Sequence, residues 1–288
     1  MAERTLFEML LMIIVVALFS ITSLNDKYAV SKCKYTGSQL TFLMAAGTSV
    51  FLLFTLPFSD RTFTLSPISF LCIGLIALSK YLEFFMSAKI LLEMSVFELK
   101  AWLGLTIFIS YFSDVLLYGE SIELLKIVCI IVTAVGLVLI AKEGRKQVHY
   151  GKIALPLVLY LASNLIYGFT MKAAETHISS TMALLFALIV LAIVMFPSAR
   201  PASIPKESPE GTKGMLIVLG CKFPNALGLL CLNRIAAQSL TNYAFVQPMI
   251  LIVMFISDFF TKKEEKKPVC SIIGGLLVIL GIFGFQAV

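Results

Sequence analysis

Residues 180–196, STMALLFALIVLAIVMF, carry no charge over seventeen consecutive positions. As a helix rising about 1.5 Å per residue this run covers roughly 26 Å, close to the ~30 Å of hydrocarbon that about 20 apolar residues span in a bilayer. The rest of the chain repeats the pattern. Towards the N-terminus lie Leu6–Leu24, Ser38–Phe58, Pro67–Ala88, Ser95–Leu117, Ile122–Ala141 and Ile153–Met171. Towards the C-terminus lie Met215–Leu232, Leu240–Thr261 and Val269–Phe285. With the first run these make ten expected transmembrane helices in 288 residues, so the fold class expected is an all-α integral membrane protein.

Composition agrees with this expectation. At 59% hydrophobic and 14% charged residues, the chain has too little charge to solvate the outside of a water-soluble globule. The longest connection, Pro197–Lys213, is rich in Pro, Ser and charge and shows no periodicity of a folded unit. No room remains for a soluble enzyme or nucleic-acid module. The first span resembles a signal peptide in position, but no small-x-small site precedes Asn25-Asp26-Lys27, so it is read as a retained helix ending before those polar residues. Six scattered cysteines form no CxxC pair and have no neighbouring His, so free buried thiols are expected and neither metal nor cofactor is.

Charge placement carries more information than the net +6. With ten spans, Lys27, Lys32, Lys34, Lys89, Lys142, Arg145, Lys146, Lys152, Arg200, Lys206, Lys213, Lys262, Lys263, Lys266 and Lys267 share one membrane side, against Arg4, Arg61, Lys126, Lys172 and Arg234 on the other. Fifteen against five puts both termini outside the cytoplasm by the positive-inside rule. The lysine runs are read as anchors to the lipid surface.

A shift of 145 positions lays Ser87-Ala88-Lys89-Ile90 on Leu232-Asn233-Arg234-Ile235, Glu120 on Glu265, Gly136 on Gly281 and Ile130–Ala141 on Gly275–Gln286. The pairs Ser113-Asp114 and Ser257-Asp258 fit a shift of 144. Two five-helix repeats are expected, 1–145 and 146–288. Five being odd, the second enters from the opposite side, an inverted repeat that favours a transporter with a midplane site.

On these grounds the chain resembles the drug/metabolite transporter superfamily in its EamA-like ten-helix form. The resemblance rests on ten spans in two halves, each closing with an acidic loop and a Gly-containing helix, as in Gly119-Glu120 followed by Ala134-Val135-Gly136-Leu137. It implies transport of metabolites such as amino acids, nucleotide sugars, phosphorylated sugars, choline-like cations or drugs. Phe97-Glu98-Leu99-Lys100 also looks like the Gln-Leu-Lys stretch of the nucleotide-sugar branch, which implies an anion-contacting role for Lys100, with Glu98 standing where Gln would be. The second span lacks the Arg often present in EamA-like proteins. Family members usually keep their termini in the cytoplasm, opposite to the charge count.

Ionisable residues inside spans cost several kcal/mol and face the bundle interior or a water-filled cavity. The candidates among them are Lys80, Glu83, Glu98, Lys100, Asp114, Lys222 and Asp258. Lys80 and Glu83, three apart, share a helix face and can neutralise each other, as a structural pair or as one that a substrate displaces. Lys222 precedes Pro224 and Asn225, and the proline frees a carbonyl near Gly220. The shift of 145 sets Asn225 opposite Lys80. Lys100, Gly104, Tyr111 and Asp114 recur on one face of the fourth span, where Lys100 either lines a pocket or snorkels to the interface. Glu98 and Trp102 form either part of a cation cage or an interfacial anchor. Tyr160, Ser163, Asn164 and Tyr167 make a polar stripe on the sixth span, for helix association or for substrate. Gln247-Pro248 is a weaker element of the same kind.

The expected function is secondary, ATP-independent transport of a small polar metabolite, anionic or zwitterionic, by alternating access. Substrate binding is assigned to Lys80, Glu83, Lys100, Asn164, Tyr167, Lys222 and Asn225. The alternative is a proton-coupled exporter of amino acids or organic cations, with Glu83 or Glu98 cycling the proton. Expected partners are the solute, the bilayer of the cell membrane and a counter-transported solute or proton, with a homodimer left open. An intramembrane hydrolase using Asp114 and Asp258 is disfavoured, because the expected topology puts them on opposite faces across about 30 Å. No GxGD, HExxH, GxSxG or Walker pattern is present. A non-transporting subunit would not need three lysines within the spans.

Overall fold

The computed structural model describes residues 2–59, 61–94, 96–104, 106–119, 121–144, 150–238, 240–261 and 269–287. Its helices are α1 (Ala2–Ser31), α2 (Gly37–Thr55), α3 (Pro67–Glu93), α4 (Val96–Leu103), α5 (Thr106–Tyr118), α6 (Leu124–Gly144) and α7 (Tyr150–Ala174). They continue as α8 (Ser180–Ala199), α9 (Ile204–Glu207), α10 (Gly211–Gly220), α11 (Lys222–Gln238), α12 (Leu240–Thr261) and α13 (Val269–Ala287). Among the described residues no strand forms, and Phe63 and Ile178 make one isolated antiparallel bridge. The fold is all-α.

Six helical stretches are long and apolar enough to cross a membrane: Leu10–Ser31, Gly37–Thr55, Pro67–Glu93, Gly151–Ala174, Ser180–Ala199 and Gly211–Ala236. Leu124–Leu139, Asn242–Met254 and Ile272–Gly281 are shorter apolar runs. Two expected boundaries differ. The first span continues through Asn25-Asp26-Lys27 to Ser31: Asp26 pairs with Lys222 and Lys27 with the Leu91 carbonyl inside the bundle, while the buried Asn25 amide nitrogen has no partner among the described residues. The fourth span is not one helix: α4 ends at Leu103, Gly104 follows in a turn, and α5 starts at Thr106. Gly104 weakens helix continuation there, and the Thr106 hydroxyl donates to the Leu103 carbonyl at 2.7 Å. Glu120, Arg145, Lys146, Lys262, Lys263, Glu265, Lys266 and Lys267 lie outside the described residues, as do the side chains of Gln247, Pro248 and Asp258.

The chain divides into two compact units, Met1–Glu93 with Gly151–Gln238, and Met94–Tyr150 with Ser239–Val288. Each draws helices from both sequence halves. In the first, α1 lies along α11, α2 along α8, and α3 and α11 both pack on α2. In the second, α6 and α13 form the closest helix pair, and α12 packs on α4, α5 and α13.

The α6–α13 contact is antiparallel and reciprocal. A Cβ on Gly136 would meet the Gly274 carbonyl oxygen at 2.6 Å and the Val278 nitrogen at 2.9 Å. A Cβ on Gly281 would meet the Cys129 carbonyl oxygen at 2.7 Å, the Thr133 nitrogen at 2.9 Å and the Thr133 hydroxyl. Adding 145 to 129, 133 and 136 returns 274, 278 and 281, so the two sets of contacts exchange under the sequence shift.

Both ends of α2 are tied down within the first unit. Beyond its C-terminal end, Thr64 N–H donates to the His177 carbonyl at 2.9 Å and Ser179 N–H to the Thr62 carbonyl at 2.8 Å. At its N-terminal end Thr36 and Gln39 form a capping box, and Gln39 Nε2 also donates to Glu207 at 2.7 Å. Hydrogen bonds from Ser203 and Gln39 hold the exposed Glu207 carboxyl below its ordinary range. A carboxylate with a depressed folded pKa contributes stability above its unfolded value, near about 4.3, and loses it as pH falls through the folded value. Glu207→Gln should therefore lower the melting temperature slightly at neutral pH and leave the acid end nearly unchanged, flattening the profile between them, as thermal melts across pH 3–7 will show. Lys27, expected in a surface loop, instead donates from its ammonium to the Leu91 carbonyl in the last turn of α3, where a cation complements the helix dipole.

Candidate binding region in the first unit

Two charged centres lie in the first unit. The first begins with Pro224, whose ring is incompatible with a helical carbonyl four residues earlier. Helix α10 accordingly stops at Gly220 and α11 starts at Lys222, with Cys221 at the joint. Cys221 N–H still reaches the Ile217 carbonyl at 3.1 Å, while Asn225 N–H is 3.4 Å from the Cys221 carbonyl. The sequence reading placed the broken turn correctly, but Lys222 does not bond it.

Lys222 is fully buried, 0% exposed. Its Nζ lies 3.0 Å from Asp26 Oδ1 on α1 and 2.9 Å from Met44 Sδ on α2. An ammonium at a helix N-terminus meets the positive end of the dipole and has lost its water, so the Asp26 carboxylate is what keeps the charge in place. Its stem crosses α2 at Gly47, where a Cβ would stand 2.8 Å from Lys222 Cγ. One turn along α11, Asn225 Nδ2 donates to Thr48 Oγ1 at 2.9 Å. Lys222, Asn225, Asp26, Met44 and Thr48 thus join α1, α2 and α11.

At the second centre Lys80 on α3 is 2% exposed. Its Nζ is 2.7 Å from Glu83 Oε2 and 3.7 Å from the centre of the Tyr167 ring on α7. A desolvated ammonium over an aromatic face gains cation–π attraction besides its ion pair. The Tyr167 hydroxyl donates to Asn233 Oδ1 on α11. The stripe of Tyr160, Ser163, Asn164 and Tyr167 is the buried face of α7. Ser163 Oγ and Asn164 Nδ2 both donate to the Tyr160 carbonyl, at 2.8 and 3.1 Å. Both centres share α11, which carries Lys222 and Asn225 at the first and Asn233 at the second.

Six of the expected substrate residues, Lys80, Glu83, Asn164, Tyr167, Lys222 and Asn225, therefore belong to one unit. Glu98 and Lys100 belong to the other, buried on α4, with Trp102 half-buried on the same helix and Asp114 buried on α5.

Asp26, Met44, Thr48 and Asn233 were missed. For Asp26 a signal existed: Thr22, Ser23 and Asp26 fall three and four residues apart, on one face of a helix that continues past Leu24. Its inclusion changes the charge count. Two lysines, Lys80 and Lys222, meet two carboxylates, Glu83 and Asp26, so the region is balanced rather than cationic. Asn233 is fully buried, and its Nδ2 has no hydrogen-bond partner among the described residues. Such a donor, left unmade, costs about 1–3 kcal/mol, and an acceptor on a bound solute would recover it. No protein-family model matches this sequence, and no curated protein matches it either.

Proposed function

We propose that the chain is a multi-pass secondary transporter of the cell membrane that carries a small zwitterionic solute by alternating access. Its ten membrane segments form two inverted repeats, 1–145 and 146–288. The reciprocal Gly136 and Gly281 contacts support the two-fold relation between the halves. The likeness to the drug/metabolite transporter superfamily, EamA-like form, and to its nucleotide-sugar branch belongs to this proposal.

The observation that carries it is the balanced set of ion pairs in the first unit, Lys222 with Asp26 and Lys80 with Glu83. Buried pairs are poor stabilisers, and apolar residues of similar volume often do as well or better. Two such pairs beside an unpartnered amide make sense where a ligand takes over their bonds. A solute with one anionic and one cationic group can replace each partner: its carboxylate or phosphate at Lys222 or Lys80, its ammonium at Asp26 or Glu83. A purely anionic solute would leave the carboxylates unpaired. Asn233 Nδ2, Asn225 and Tyr167 would then contact the polar body.

Proton coupling is the second reading. It is favoured by the exposure of the carboxylate side chains, 22% for Glu83 and 17% for Asp26, against 3% and 0% for their lysines.

Ligand-dependent melting of the purified protein across amino acids, phosphocholine-type zwitterions, sugar phosphates, nucleotide sugars and quaternary amines tests the proposal. A ligand at a hundredfold its Kd adds about 2.7 kcal/mol to the folded state. Zwitterions should raise the melting temperature of the wild type and leave Lys222→Met/Asp26→Asn unmoved. Stabilisation by quaternary amines or anions alone, unchanged in that variant, would overturn the zwitterion reading.

A further inference from the structure

On the outer face of α2 lies an apolar groove of about 420 Å³, bounded by α9 and α10 and lined by Ala46, Gly47, Val50, Pro201, Met215 and Leu219 among others. Its volume is that of a small-ligand site, yet its walls offer almost no polar group to hold a soluble molecule. The surrounding side chains are apolar and exposed, Val50 at 49%, Phe54 at 72% and Leu216 at 61%. In a bilayer this face meets hydrocarbon.

Depth and charge specify the occupant. The α2 residues of the lining run from Phe42 to Phe51, a rise of about 14 Å, or half of a ~30 Å hydrocarbon core. The groove is therefore one leaflet deep. Its outer end is Pro201, directly after the exposed Arg200, which caps α8 in the left-handed conformation. Exposed Lys206 follows Ile204 of the lining by two positions, and exposed Lys213 precedes Met215 by two. The same segment carries two carboxylates, Glu207 bonded to Gln39 and near Arg200, and Glu210 bonded to Tyr28. The three cations exceed them by one, so the end of the groove at the membrane surface carries a small net positive charge.

We propose that this groove holds one acyl chain of an anionic phospholipid whose phosphate is met by Arg200, Lys206 and Lys213. The site needs only a bilayer around the chain and does not depend on what solute is carried.

The test is native mass spectrometry of the detergent-purified protein with equal amounts of dioleoylphosphatidylglycerol and dioleoylphosphatidylcholine. The wild type should retain at least about fivefold more of the anionic lipid, the selectivity that roughly one surface basic residue supplies. Arg200→Gln/Lys206→Gln/Lys213→Gln should bring the ratio to parity. Ala46→Trp and Val50→Trp, which fill the groove from different depths, should each reduce retention of both lipids, in preparations whose lipid-free melting matches the wild type. Equal retention of the two lipids by the wild type would overturn the headgroup assignment. Undiminished retention in the folded tryptophan variants would overturn the groove as the site.

Discussion

Replacing Lys222 with Met should cost about 3 kcal/mol of folding stability, and adding Asp26→Asn should bring the protein back to within about 1 kcal/mol of the wild type. The single substitution strands the Asp26 carboxylate beside Met44, where no other cation is in bonding range among the described residues. Breaking a buried pair typically costs 3–5 kcal/mol. The low end applies here because the Asp26 side chain retains 17% exposure, so some water can reach the abandoned charge. Met keeps the length and apolar stem that cross Gly47, and Asn keeps the shape of Asp, so the double variant removes both charges with little change of volume. A double-mutant cycle from unfolding in detergent isolates the pair. A cost below about 1 kcal/mol for Lys222→Met, or a double variant no better than the sum of the singles, would mean that the pair does not hold this junction.

Gly136→Ala and Gly281→Ala should each destabilise by about 2–3 kcal/mol, at the upper end of overpacking costs, and by nearly equal amounts. Each new methyl would fall within 3 Å of backbone atoms on the facing helix, at Gly274 and Val278 for the first and at Cys129 and Thr133 for the second. Backbone cannot turn away as a side-chain tip can, so α6 and α13 would have to separate and lose contact along their length. Equality follows from the reciprocity of the two contact sets. Gly74→Ala is the control: its Cβ would meet nothing within 4 Å, and helix propensity alone would favour the alanine by up to about 1 kcal/mol. Melting of the three variants under one condition decides the matter. A neutral Gly136→Ala, or costs differing several-fold between the two glycines, would contradict the paired packing.

What was legible in the sequence was local. Lys80 and Glu83 lie three residues apart, and helix geometry alone brings them together. Pro224 announces the break at Gly220–Lys222 because a ring and a carbonyl cannot share one site. Asp26 was not legible as the partner of Lys222, since 196 positions separate them and the run Asn25-Asp26-Lys27 reads as the polar end of a span. Only packing of α1 along α11 makes that run part of the interior. Lys100 and Glu98 are candidates on the same ground as Lys222, being charged within an apolar stretch, and they belong to the other compact unit. Charge inside a span marks a residue that needs a partner; it does not say which residues share one. The turn at Gly104 was missed because Lys100, Gly104, Tyr111 and Asp114 continue a helical spacing across it. Three lysines in the spans pointed towards an anionic solute; Asp26 balances Lys222 as Glu83 balances Lys80.

Solute movement itself is read by counterflow in sealed proteoliposomes preloaded with whichever solute raises the melting temperature. The wild type should drive labelled solute transiently above its equilibrium level, and Lys222→Met/Asp26→Asn, folded but lacking the exchangeable ion pair, should stay at the level of empty liposomes. Counterflow by that variant at the wild-type rate, or none by the wild type with any stabilising solute, would contradict transport through this site.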